Sequence, residues 1–194
     1  MFKRKITVDQ FAYLAIQTFY EAYESNLGEM LDMVQWENTY KLDERERKRL
    51  WREFENFHLI ALSTQLFVHF KGNCEMSDIS QKVTEAYSYY LMEDQGVSRA
   101  SAVKRLDKML AYQEKLFSNI ADDDPGDLKN ILPKLGVAFA ETYCHNDLSA
   151  RDLQANRVTQ NFEKNFAAIK MAKPLIMKKG IIGELMSQYK PTWE

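Results

Sequence analysis

Cysteine is nearly missing from this chain. Cys74 and Cys144 are its two among 194 residues. That is too few for a disulfide framework, so the fold must rest on its core and the expected setting is the reducing cytoplasm. A long hydrophobic run is missing too. The best candidate, Phe54 to Phe70, falls short of the roughly 20 residues that cross a bilayer and carries Glu55, Asn56, Gln65 and two histidines, so no membrane span is expected. Lys3-Arg4-Lys5 imitates the basic start of an export signal, but Asp9, Gln10 and Gln17 interrupt the apolar stretch that should follow, and none is read. There is no Walker-type loop, no Gly-x-Gly-x-x-Gly and no nucleophile elbow. The acidic loop at Asp122 to Asp127 lacks the alternating ligands and distal Glu of an EF-hand. Clean alternation between hairpin turns is lacking as well, so no strand is expected.

What is present is helix. A chain of this length fits one domain and can bury roughly 70% of its unfolded surface. Thr7, with Gln10 three residues on, makes a capping box for a first helix over about 8 to 26, carrying Phe11, Ala15, Phe19 and Tyr23 on one face. Gly28 splits off a second piece at 29 to 40. Asp43 caps a long helix that Gly72 ends, and Ser77 opens one that stops near Gly96. Ser98 opens the next, with Val103, Leu106, Leu110, Gln113 and Phe117 as its expected apolar face. Asp124-Pro125 marks a loop and helix start, Pro133 a kink or first turn, and Ser149 a last long helix that Pro174 stops. The expected fold class is therefore all-α, a single-domain bundle of six or seven helices over residues 1–174 around a central helix at about 44–71.

Charge divides the chain. Residues 1–148 hold 18 Lys and Arg against 24 Asp and Glu, a balance of −6, whereas residues 149–194 hold 8 against 4, a balance of +4. Eight cations over 46 positions make no dense patch, so the partly apolar, basic tail at 175–194 is expected to dock on its own body or on a partner subunit. Leu175, Ile176, Ile181, Ile182, Leu185 and Met186 are too many apolar groups to leave in water.

The central helix holds the most information. From Phe54 to Phe70 its apolar side chains fall nearly all round the axis, so Phe54, Phe57, Ala61, Phe67 and Val68 are expected to be buried. Glu55, His58, Gln65 and His69 nevertheless share one stripe about 80° wide. Buried polar groups must find partners, because leaving one unsatisfied costs about 1 to 3 kcal/mol. Tyr87, Tyr89 and Tyr90 on the following helix could supply hydroxyls. The candidate ligand-binding residues are thus Glu55, His58, Gln65, Tyr87 and Tyr90. His58 and His69 are separated by roughly 16 Å along the axis and cannot share an ion.

Three chemical readings compete with a satisfied core. Glu55-x-x-His58 has the spacing used for dinuclear metals in helical bundles, with Glu21 or Glu24 and Glu85 as possible bridging carboxylates, but the required second motif is missing. Cys144 and His145 are consecutive and point about 100° apart on a helix, which defeats a nucleophile and base pair. Gly96-Val-Ser-Arg-Ala-Ser101 loosely resembles the turn of a helix-turn-helix over residues 83–110, with Arg99, Lys104 and Arg105 toward phosphates. The acidic body and the displaced apolar position Val103 argue against nucleic acid.

The functional expectation is non-enzymatic: a helical ligand-binding or protein-interaction module, with no cofactor, no metal and no catalytic residue. Its expected partners are a second copy of itself, as a homodimer, or another protein, or a small apolar or mixed ligand. The alternatives are a metal- or cofactor-dependent enzyme using the Glu55/His58 stripe, and a DNA-binding regulator.

Overall fold

Thr7 and Gln10 form the reciprocal capping box that their spacing predicts. The Thr7 N–H donates to Gln10 Oε1 at 3.1 Å, and the Gln10 N–H donates to Thr7 Oγ1 at 3.2 Å. In the computed structural model, which describes residues 4–25, 43–118, 134 and 181–191, this box opens helix α1 (Val8–Ser25) directly after a short strand β1 (Arg4–Ile6). Helix α2 (Glu44–His69), a 3-10 turn (Cys74–Met76), α3 (Ile79–Glu93), α4 (Arg99–Ser118), α5 (Ile181–Gln188) and strand β2 (Tyr189–Pro191) complete the described elements. The expected helices at 29–40, after Asp124, around Pro133 and from Ser149 to Lys173 lie outside the described residues, as do Cys144 and His145. The described residues are mainly helical, with five helices.

The strands correct the sequence reading. β1 and β2 pair in parallel, with Arg4 opposite Tyr189, Lys5 opposite Lys190 and Ile6 opposite Pro191. Three residues are too few to show an alternating pattern, and Pro191 sits at the end of its strand, where a missing N–H is tolerated. Beside this pair α5 rests on α1, burying Ile181, Ile182 and Leu185 and leaving Gly183 and Glu184 outside.

Both glycines that end helices do so in the left-handed region, Gly72 at φ +84° and Gly96 at φ +61°, where a Cβ is strained. After α3 the Gln95 N–H reaches the Tyr90 carbonyl and the Val97 N–H the Leu91 carbonyl, which satisfies acceptors the helix end leaves open. Ser98 Oγ then accepts from the Ser101 N–H at 3.4 Å to begin α4.

Helix directions follow from side-chain pairs. The Phe11 and Phe70 rings meet edge to face at 5.7 Å, while Tyr20 meets Glu55, so α1 and α2 are antiparallel. Lys82 binds Asp9 at 3.0 Å and Tyr90 stacks on Tyr20 at 4.4 Å, so α3 runs alongside α1 in the same direction. α2 packs on α3 and α4, and α3 packs on α4. Ala12 and Ala15, fully buried on α1, leave room for this close approach.

The central helix is buried without a break from Phe57 to Leu66, but not to its end. Phe67 is 42% exposed, Val68 half-buried and His69 exposed; the side chain of Phe54 lies outside the described ones. Near Phe70 the helix keeps its contact with Phe11 on one side while the other side faces water. An all-round apolar pattern therefore overstates burial where neighbours run out. On α4 the expected face is displaced by one position: Ala102, Met109 and Tyr112 are buried, whereas Val103 and Leu110 are 46% and 44% exposed. Adjacent stripes differ by about 100°, and the fully buried Ala102 lets α4 settle closely on the stripe that also turns Arg105 inward.

Candidate functional site

Glu55 lies in the middle of α2, half-buried, on the side that faces α1. Its partner is Tyr20, whose hydroxyl donates to Glu55 Oε1 at 2.5 Å. The ring of Tyr20 is held from two directions. Phe19 meets it edge-on at 5.0 Å, and Tyr90 from α3 stacks at 4.4 Å with the planes 14° apart. Tyr90 in turn accepts from Gln95 Nε2 at 3.0 Å.

Tyr87, one turn before Tyr90 on α3, is buried and extends the cluster. Its hydroxyl lies within electrostatic reach of Tyr20 and of Arg105 of α4. Burial pushes the Tyr20 hydroxyl well above its ordinary pKa, with the Glu55 charge adding to the rise. Burial likewise raises Tyr87, again with help from Glu55, while the contacts of Tyr20 and Arg105 oppose the shift. A separate tyrosine contact lies at the rim: Tyr13 donates to Asp94 Oδ2 at 2.5 Å and sits edge-on to Tyr89, and the bond to Asp94 raises Tyr13 to about 12.

The sequence-derived residues are placed as follows. Glu55, Tyr87 and Tyr90 come together around Tyr20. His58 is buried one turn along α2, its ring edge-on to Phe57 at 5.5 Å, and Gln65 is buried two turns further on. His69 lies apart at the exposed helix end, beside Phe70. Tyr89 is 52% exposed and joins the rim rather than the cluster. Sequence reasoning missed Tyr20, and weighed Arg105 only as a phosphate contact. Tyr20 was hidden because it follows Phe19 on a face that reads as uniformly apolar. Arg105 had a visible signal, since it falls between Ala102 and Met109 on the stripe that is buried, where a cation needs a partner.

The chemistry open to these groups is limited. Of the bridging carboxylates considered for a metal, Glu21 is exposed, and Glu85 is exposed and occupied by Gln81 at 2.9 Å and Lys82 at 3.2 Å; the side chain of Glu24 lies outside the described ones. Among the described residues no group of three or more His, Cys, Asp or Glu could hold a metal ion. Arg105, one of three cations considered for phosphate contact, is turned toward Tyr87, whereas Arg99 and Lys104 are exposed. A small cavity lined by Ser63, Thr84, Tyr87, Met109 and Gln113, among others, has room for about one water molecule. That falls far short of the several hundred Å³ of a typical ligand site. No described helix is long and apolar enough to cross a membrane.

Comparisons with known protein families, curated proteins and solved structures find no match. Fold and site by themselves define, over the described residues, a mainly helical body with a tyrosine-rich polar cluster between its helices.

Proposed function

We propose that this chain is a non-enzymatic helical interaction module that associates with a second copy of itself through the outer face of α4. The observation that carries the reading is the pair Val103 and Leu110, two turns apart on one stripe and both nearly half exposed. Arg99, Asp107 and Glu114 fall on the same stripe by the helical repeat. In an antiparallel two-fold pairing that sets Val103 opposite the partner's Leu110, the same register sets Arg99 opposite the partner's Glu114. Apolar and charged pairs are then both made twice. Asp107 lies near the axis of that pairing, with Lys104 and Lys108 beside it in sequence to offset the like charge.

A ligand-binding role for the Glu55/His58 stripe has less support, because Glu55 is engaged by Tyr20 and the neighbouring cavity admits no more than a water. The two cysteines suit a cytoplasmic setting, which belongs to the same proposal; Cys74 is an exposed free thiol.

One helix stripe is small beside the roughly 800 Å² per partner of a standard interface, so the expected association is weak and rises with concentration. Sedimentation velocity on the full chain from low to high micromolar concentration should show a monomer converting to a species of twice its mass. Leu110→Asp should keep the chain monomeric with its helical content intact. A wild-type chain that stays monomeric throughout, or a Leu110→Asp variant that dimerises as well as wild type, overturns the proposal.

A further inference from the structure

The parallel pairing of β1 with β2 brings the two basic ends of the chain together. Residues 1–5 carry Lys3, Arg4 and Lys5 with no acid, residues 149–194 carry 8 Lys and Arg against 4 Asp and Glu, and residues 6–148 between them hold 15 against 24. The register sets Lys5 directly opposite Lys190. Ile6 is buried in the core, and successive side chains of a strand point to opposite faces. Lys5 and Lys190 therefore share the outer face of the sheet, where both are exposed. Paired strands lie about 4.8 Å apart, and like charges directly opposite each other destabilise a sheet. Among the described ion pairs none includes Arg4, Lys5 or Lys190. A ladder of three residues has little pairing energy to set against that repulsion.

We propose that Lys5 and Lys190 form a binding site for a phosphate group, held between their two ammonium groups on the outer face of the β1 and β2 pair. Two lysine stems rising side by side from neighbouring strands can each bring an ammonium to a different oxygen of one phosphate, and each ammonium has three protons to donate. Hydrogen bonds between ionised partners are the stronger kind. A phosphate monoester carries a charge of about −1.5 to −2 near pH 7, which offsets both lysines at once, whereas a single carboxylate offsets one. The acidic balance of residues 6–148 disfavours anions elsewhere on the chain and confines them to this pole. The site uses no residue of α4, so it stands apart from the proposed self-association.

The experiment is thermal melting of the full chain near pH 7 in inorganic phosphate, against sodium chloride of equal ionic strength. At ten times its dissociation constant a ligand raises the folded-to-unfolded ratio about elevenfold, so saturating phosphate should lift the melting temperature by about 3 to 6 °C beyond the chloride control. Lys5→Gln and Lys190→Gln should each lose that lift, and Lys5→Arg should keep it. In phosphate-free buffer of low ionic strength the two glutamine variants should melt no lower than wild type, because each removes a like-charged neighbour. Equal responses to phosphate and chloride overturn the proposal, as does a full phosphate response in both glutamine variants, or a clear loss of stability in them without phosphate. Co-sedimentation with phosphatidylcholine vesicles that contain phosphatidic acid then identifies the source of the phosphate. Capture by these vesicles, absent with pure phosphatidylcholine and lost in Lys5→Gln, supports the site with a lipid headgroup as ligand. A phosphate response without capture supports it with a soluble phosphate ester, and capture that survives both glutamine variants overturns it.

Discussion

Phe57→Ala should lower the stability of this chain by about 3 to 5 kcal/mol, the range for deleting a buried aromatic where the surroundings cannot collapse into the space. Phe57 is 1% exposed and its ring sits edge-on to that of buried His58. Its loss therefore opens a cavity beside a buried polar side chain. With a typical domain stable by about 5 to 15 kcal/mol, the substitution should move the urea midpoint far to the left and could leave the chain unfolded at ambient temperature. Phe67→Ala is the matched control, because Phe67 lies on the same helix but is 42% exposed. A Phe57→Ala loss under about 1 kcal/mol, or one no larger than that of Phe67→Ala, would mean the core is not where it is placed.

The second large effect concerns the C-terminal segment. Deleting residues 181–194 removes Ile181, Ile182 and Leu185, each less than 5% exposed, and burying a side chain of that kind stabilises by about 1.5 to 3 kcal/mol. It also strips the partner strand from β1 and uncovers part of α1. The truncated chain should melt far below the full one, with β1 and the N-terminal turn of α1 losing hydrogen-exchange protection first. Leu185→Ser tests the same contact with the chain length kept. Equal melting temperatures for full and truncated chains would show that this segment contributes nothing to the body.

The helices were legible because local signals agree with the packing. Thr7 with Gln10 gave the start of α1, and Gly72 and Gly96 gave the ends of α2 and α3, each through a backbone requirement that a single residue type meets. Burial was legible only where a pattern has one solution. On α4 two adjacent apolar stripes were available, and the buried one, with Ala102, Met109 and Tyr112, is chosen by how closely α4 packs on α2 and α3, information that no window of sequence contains. The strands were invisible for the same reason, since each is three residues long and is made by pairing segments from opposite ends of the described chain. At the site, the Glu55 and His58 spacing pointed to a polar face needing partners, and Glu55 has one in Tyr20. Tyr87 and Tyr90 were legible as hydroxyls on a neighbouring helix, but the group that takes Glu55 is Tyr20, from a helix read as apolar. That a polar stripe is present follows from periodicity, whereas what satisfies it follows from tertiary geometry.

The central claim is that Tyr20 and Tyr87 close this stripe inside the fold, and tyrosine ionisation measures it directly. Both hydroxyls are raised by burial and by the Glu55 charge, so their folded-state pKa values lie above the unfolded value of about 10. The stabilisation linked to their protonated forms is therefore complete below pH 10 and is lost as pH climbs beyond it, because the unfolded chain releases these protons first. The chain has ten tyrosines, whose ionisation is followed by ultraviolet absorbance. Tyr13 should titrate at about 12, and Tyr20 and Tyr87 should ionise only in the step where helical circular dichroism disappears. Tyr20→Phe and Tyr87→Phe should each remove one tyrosine from that last step. If all ten ionise in a single transition near pH 10 while the helices persist, the cluster is open to solvent and the account is wrong.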